Sequence, residues 1–168
     1  MRQDTVHEKE IRQMREYRIS KYDPAYRLNG IYQRKEWTSI ADVGSSFDGL
    51  TLTMGDYLAV EQSYIRFLAF LAEKSKALPL RISNLEGGQE CSWKEGQMID
   101  SGILPMIAAD CLRENCWCKL LSESYFIHFG YDYYVYVGCD LPPDEIRKTA
   151  SRFGLFVEEC FSPYHDDN

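Results

Sequence analysis

The sequence predicts an α+β fold: a single domain over residues 15–162, with a mixed or mainly antiparallel sheet of about five strands and about three helices mainly on one face. Three observations carry this. Cys116 to Asp140 concentrates β-branched and aromatic residues, including five of the twelve tyrosines, as neighbouring strands on a half-buried pleated surface do. Met54 to Lys76 repeats apolar residues at three- and four-residue spacing, the period of a helix with one buried face. That segment and Pro142 to Phe153 each run directly into a strand pattern, and three or more strands backed by helices make a self-sufficient layer structure.

Taken in order, residues 1–14 have no apolar period and read as a polar N-terminal tail. Tyr17 to Tyr22 alternates apolar and polar residues, a first strand that Asp23-Pro24 stops. Tyr26 to Gly49 is irregular, with a turn signal at Asn29-Gly30. A stretch this long inside one domain is either functional or contains unrecognised elements. The helix from Met54 is capped by Thr53, with Asp56 in the place of a capping-box acid, and buries Tyr57, Val60, Tyr64, Phe67, Leu68 and Leu71. Leu78 to Leu85 is a strand ended by Gly87-Gly88.

Glu90 to Ser101 fits a short helical turn at most. Ile103 to Glu114 places Ile103, Leu104, Ile107, Ala108, Cys111 and Leu112 on one face, with Ser101 available as cap and Pro105 tolerated in the first turn. Cys116 to Leu121 and Tyr125 to Phe129 are antiparallel mates across Ser122-Glu-Ser124. After a bend or bulge at Gly130 comes a strand over Tyr133 to Val137; strand geometry persisting from residue 131 would put Tyr131, Tyr133, Val135 and Val137 on one face and Asp132, Tyr134 and Tyr136 on the other. Pro142 to Phe153 is a helix stopped by Gly154, Leu155 to Phe161 the last strand, and residues 163–168 a polar C-terminal tail.

Bulk properties narrow the function classes. The net charge of −7 comes without a clustered basic stripe, so no nucleic-acid partner is expected, and a basic protein partner is. The charged first ten residues lack the apolar core of a signal peptide, and no run approaches the ~18 apolar residues of a membrane span. A cytoplasmic protein with six reduced cysteines is the expectation, with no membrane contact and the oligomeric state open.

A resemblance adds to this. Lys21-Tyr-Asp-Pro24, Arg27, Gly30, Tyr32 and Glu36-Trp-Thr-Ser-Ile-Ala-Asp-Val-Gly44, with Gly130-Tyr-Asp-Tyr-Tyr134 and Ser162-Pro-Tyr164, resemble a group of small bacterial proteins without an assigned activity. Some of that group are similar to immunity proteins that neutralise bacterial toxins. The resemblance implies a protein-binding role and carries over no toxin-binding residue.

Motifs for chemistry are sparse. Cys116-x-Cys118 in a strand lacks the knuckle turn of structural zinc, so Cys111, Cys116, Cys118, Cys139 and Cys160 read as core thiols and no metal or cofactor is expected. Gly44 to Gly49 lacks the Lys-Ser/Thr of a phosphate loop. The primary expectation is a non-enzymatic protein-binding module, immunity-like, which uses Asp132, Tyr134, Tyr136, Glu158 and Glu159 as an acidic, tyrosine-bearing surface. Two alternatives stand beside it. One is a small hydrolase or transferase using His128 with Asp132 or a cysteine; the other is a regulatory or assembly domain.

Overall fold

The computed structural model describes residues 14–166. Its main sheet has seven strands, all antiparallel, in the order β11-β1-β10-β9-β8-β6-β7. These are β1 (Arg15–Ser20), β6 (Leu80–Gly87), β7 (Met98–Ile99), β8 (Cys116–Leu121), β9 (Phe126–Phe129), β10 (Val135–Cys139) and β11 (Phe156–Glu159). Two small hairpins, β2 (Arg27–Leu28) with β3 (Ile31–Tyr32) and β4 (Ser46–Phe47) with β5 (Leu50–Thr51), occupy the stretch that reads as irregular in the sequence. The helices are α1 (Met54–Lys74), α2 (Leu104–Leu112) and α3 (Pro143–Ser151). The fold is therefore α+β, with a larger sheet than the five strands expected. Met98–Ile99 and the hairpin strands are two residues long, too short to show a period of two. The expected N-terminal tail lies, apart from Met14, outside the described residues.

Alternation divides the sheet sharply. Tyr17, Ile19, Ile82, Cys118, Leu120, Ile127, Phe129, Val135, Val137 and Val157 join one hydrophobic cluster with Tyr64, Phe67, Leu68 and Leu71 of α1, Leu104 and Ile107 of α2, and Ile146 and Ala150 of α3. The alternate residues Glu16, Arg18, Lys119, His128, Tyr136 and Glu158 point the other way, with Glu158, Arg18, Tyr136, His128 and Lys119 in register across five strands. The capping box of α1 is present in both directions: Thr53 Oγ1 accepts from the Asp56 amide and the Asp56 carboxylate accepts from the Thr53 amide.

Two local expectations are corrected. Ser101 does not cap α2; Ile103 occupies the cap position without a side-chain bond, and the Asp100 carboxylate takes the amides of Gly102 and Ile103 instead. The third aromatic strand starts at Val135 and not at Tyr133, because Asp132 and Tyr133 both adopt left-handed backbone (φ +55° and +64°). Strand alternation from residue 131 is broken there: Tyr131 is exposed while Tyr133 turns into the core.

That turn is held from three sides. The Tyr22 hydroxyl donates to the Asp132 carbonyl at 2.7 Å and the Tyr64 hydroxyl to the Tyr133 carbonyl at 2.9 Å. The Tyr133 ring meets Trp37, Tyr64 and Tyr57 at centroid distances of 5.0, 5.0 and 5.9 Å, and its hydroxyl donates to that of Tyr57. Burial first of all pushes the Tyr22, Tyr64 and Tyr133 hydroxyls far above the ordinary tyrosine range, so they remain protonated donors.

One charge sits inside this core. Glu61 on α1 is fully buried and forms a two-pronged bond with Arg113, Nε and Nη2 lying 2.7 and 2.6 Å from its oxygens. This clamp ties α1 to the end of α2, and those hydrogen bonds to Glu61 hold the guanidinium above its usual value. Arg113→Ala strands the buried carboxylate and is expected to lower stability by about 3 kcal/mol in urea unfolding. Glu61→Gln, which keeps hydrogen-bonding capacity, is expected to cost less than half of that.

Candidate functional site

The polar face of the sheet is covered by the chain's own residues. After β11 the segment Ser162 to Asp166 crosses back over β8, β9 and β10. Ser162 Oγ lies 2.7 Å from His128 Nδ1, its amide donates to Glu16, His165 Nε2 lies 2.9 Å from Glu16, and Asp166 pairs with Lys119 at 2.7 Å. The Tyr164 ring packs between those of Trp117 and Tyr136, tilted to the first and edge-on to the second, at centroid distances of 5.7 and 5.8 Å. Gly130 lies close beneath it: a β-carbon there would lie 3.1 Å from the Tyr136 ring and 3.2 Å from that of Tyr164, so the rings would have to shift by a few tenths of an ångström. The bend expected at Gly130 is thus also a close approach of two aromatic rings.

This stitching leaves an open cleft of about 480 Å³ at one end of the sheet. Each wall has a local cause. Strand β6 shifts register against β8 between Ser83 and Glu86, with Asn84 left-handed (φ +53°) and the Glu95 carboxylate accepting from the Asn84 and Leu85 amides. The bulge turns Glu86, Gly87 and Gly88 to one side of the cleft. Glu114 forms another side, as the residue after the Arg113 cap of α2, in left-handed conformation (φ +62°) with its amide on the Cys111 carbonyl. Glycine usually holds such a position.

Tyr131, 79% exposed, forms the lip, its amide reaching the Tyr164 hydroxyl at 3.4 Å. Trp117 and Tyr164 supply aromatic surface, and Cys111 and Cys116 the buried floor. The lining contains two exposed carboxylates and no Lys, Arg or His. A smaller depression of about 270 Å³ adjoins it, sharing Gly88, Asn115 and Cys116 and adding Cys91 and Trp93.

The residues singled out by sequence lie elsewhere and are largely engaged within the molecule. Glu158 pairs with both Arg18 (3.1 Å) and Arg27 (2.9 Å), so its charge is satisfied internally. Tyr134 accepts from Arg27 at 2.8 Å, and its ring carries the Arg18 guanidinium at 4.7 Å from the centroid. Tyr136 is buried under Tyr164. Asp132 is exposed on the turn, whereas Glu159 is exposed on the edge strand and pairs with Arg147 of α3. Arg18 and Arg27 thus join Tyr134 to Glu158, while Asp132 and Glu159 stand apart from that group.

His128 is 2% exposed and stacks on Phe126 at 4.2 Å; among the described residues its side-chain bond goes to Ser162 and not to Asp132 or a cysteine. The pair fastens the C-terminal segment to the sheet, beside a depression of about 200 Å³ that His128 lines with Lys119, His165 and Asp166. Among the described residues no group of three or more His, Cys, Asp and Glu side chains is arranged to hold a metal ion, and no helix is long and apolar enough to cross a membrane.

Comparison with protein-family models, with curated proteins and with solved structures finds no match to this chain. The site therefore rests on its own geometry. Glu86, the pair Glu114 and Trp117, and Tyr164 come from three separate parts of the chain. Trp117 and Tyr131 belong to the aromatic stretch that the sequence marks as the sheet's centre, whereas nothing in the sequence marks Glu86 or Glu114.

Burial above all, with His165 and Lys119 adding to it, pushes the His128 imidazole down to about 4 from an ordinary value near 6.5. The neutral ring is the folded form, so the fold is fully supported above pH 6.5 and loses that support as pH falls toward 4. The expected loss is about 3 kcal/mol across this window. Urea unfolding of the wild type at several pH values should show it, and His128→Gln should flatten the slope.

Proposed function

We propose that this chain is a non-enzymatic protein-binding module that takes a basic partner, with the acidic, aromatic cleft receiving one or two of the partner's cationic side chains. The observation that carries this reading is the lining itself: Glu86 and Glu114 with Trp117, Tyr131 and Tyr164, and no Lys, Arg or His among the described residues that line the cleft. Aromatic faces attract guanidinium and ammonium groups, and nearby carboxylates add directional hydrogen bonds. By contrast, Tyr134 and Glu158 already hold two arginines from the same chain. They are a filled version of the arrangement that the cleft presents open.

The net charge of −7 favours the encounter with a basic surface at long range. The backbone supports specialisation too, because Glu114 keeps a side chain where glycine would relieve strain. The resemblance to immunity proteins points in the same direction, toward blocking a basic bacterial protein. In that reading the module works in the cytoplasm beside the partner it restrains.

An arginine-rich peptide is a suitable probe in titration calorimetry. Glu86→Gln combined with Glu114→Gln is expected to weaken its binding about tenfold at low salt, and raised salt should weaken the wild type in the same sense. Unchanged affinity in the double variant, or binding indifferent to salt, would sink the reading. Glu114→Gly separates function from stability: about 1 kcal/mol more stable by relief of the left-handed backbone, yet weaker toward the peptide.

A further inference from the structure

The floor of the cleft is made of thiols. Cys111, the last buried residue but one of α2, has its sulfur 3.7 Å from that of Cys116 and 3.7 Å from that of Cys118, both on β8. Cys91 packs from the adjoining depression against the same strand start: a β-carbon on Gly87 would lie 2.7 Å from its sulfur and 3.6 Å from the Cys116 β-carbon. All of these cysteines are free thiols.

The thiols are not equivalent. Cys116 lines both depressions, whereas Cys118 is fully buried and lines neither. Cys111 lines the larger cleft beside Cys116, so both members of the 3.7 Å pair border the opening. Hydrogen bonding also distinguishes the pair. The bond from Cys111 is the first influence holding the Cys116 thiol below its ordinary value, against the opposing effect of burial. The same bond, with that to Cys118, pushes Cys111 well up, so Cys111 keeps the proton. A thiol whose ionisation is eased by a protonated thiol neighbour is the arrangement that thiol oxidation chemistry uses.

We propose that Cys116 and Cys111 form a reversible dithiol–disulfide pair, oxidised by a hydroperoxide that enters through the cleft and restored by a dithiol reductant. In the first step the Cys116 thiolate attacks the terminal oxygen of the hydroperoxide. The O–O bond breaks, the remaining oxygen leaves and takes a proton as an alcohol or water, and Cys116 becomes a sulfenic acid. In the second step the Cys111 sulfur attacks the Cys116 sulfur and the S–O bond breaks. The hydroxide leaves with the Cys111 proton as water. Two thiols are oxidised by two electrons and one hydroperoxide is reduced. The inference does not depend on the basic-partner reading: it needs only the cleft and the two sulfurs.

A zinc site is the competing use of such a cluster. The 3.7 Å separations are close to the edge of a tetrahedral thiolate set, roughly 3.8 Å for ~2.3 Å bonds. Yet among the described residues no three ligands come together suitably.

The test treats the full chain with one equivalent of hydrogen peroxide, followed by alkylation and peptide mass spectrometry. Cys160, half-buried and without a thiol neighbour in hydrogen-bond range among the described residues, serves as reference within the same molecule. The expected result is Cys116 loss at least about tenfold faster than Cys160 loss. A peptide linked through Cys111 and Cys116 should follow and be cleaved again by dithiothreitol. Cys118→Ser should leave this unchanged, and Cys116→Ser should remove the fast phase. Cys116 reacting no faster than Cys160 overturns the proposal, as does its conversion to sulfinic acid with Cys111 still free. Stoichiometric zinc that shields these thiols in the purified protein overturns it too. All three outcomes are read on the wild type, so none depends on a variant that folds.

Discussion

The left-handed turn at Asp132 and Tyr133 is the constraint on which most of the structure depends. Two consecutive non-glycine residues in this conformation cost roughly 1–2 kcal/mol each. Two tyrosine hydroxyls bonded to the turn's carbonyls offset roughly 1 kcal/mol apiece, and three ring contacts around Tyr133 contribute more. The turn therefore exists only because α1, Trp37 and the residues after β1 are already in place around it. In return it sets where β10 begins, which ring enters the core, and that Tyr131 emerges at the cleft.

Electrostatics follow from the same economy of placement. On the sheet's polar face almost every charge has a partner from the chain itself: Glu158 with two arginines, Glu16 with His165, Lys119 with Asp166. Inside, Glu61 is answered by Arg113. In the cleft, by contrast, Glu86 and Glu114 meet aromatic rings, and the described residues that line it include no Lys, Arg or His.

Much of the fold was legible because its longest elements announce themselves. Thr53 and Asp56 mark the start of α1, and Tyr57, Tyr64, Phe67, Leu68 and Leu71 are buried as their spacing requires. Strands β8 and β9 follow the aromatic pattern in the expected pairing. Glu61 and Met98–Ile99 were not legible: a buried acid looks like a surface residue until its arginine arrives from another helix, and a two-residue strand has no period. Asp132, Tyr134, Tyr136, Glu158 and Glu159 read in the sequence as one binding surface, but only Tyr134 and Glu158 are joined, and by Arg18 and Arg27, which come from far away in sequence. The cleft was hidden for the same reason, since a bulge, a helix end, a turn and the segment after β11 meet only in three dimensions.

The place of β1 in the sheet has a consequence for how the molecule comes to be assembled. β1 lies between β10 and β11, and its Tyr17 hydroxyl bonds to the Leu141 carbonyl across 124 residues of chain. Hairpins such as β8–β9–β10 close short loops and can form locally, whereas β1 has no neighbour until nearly all of the chain exists. Until then β10 presents a bare edge with five buried residues, the kind of template that invites pairing with other chains. The late arrival of one six-residue strand converts that edge into the middle of the sheet. The same strand that makes the finished sheet continuous makes its assembly a long-range event.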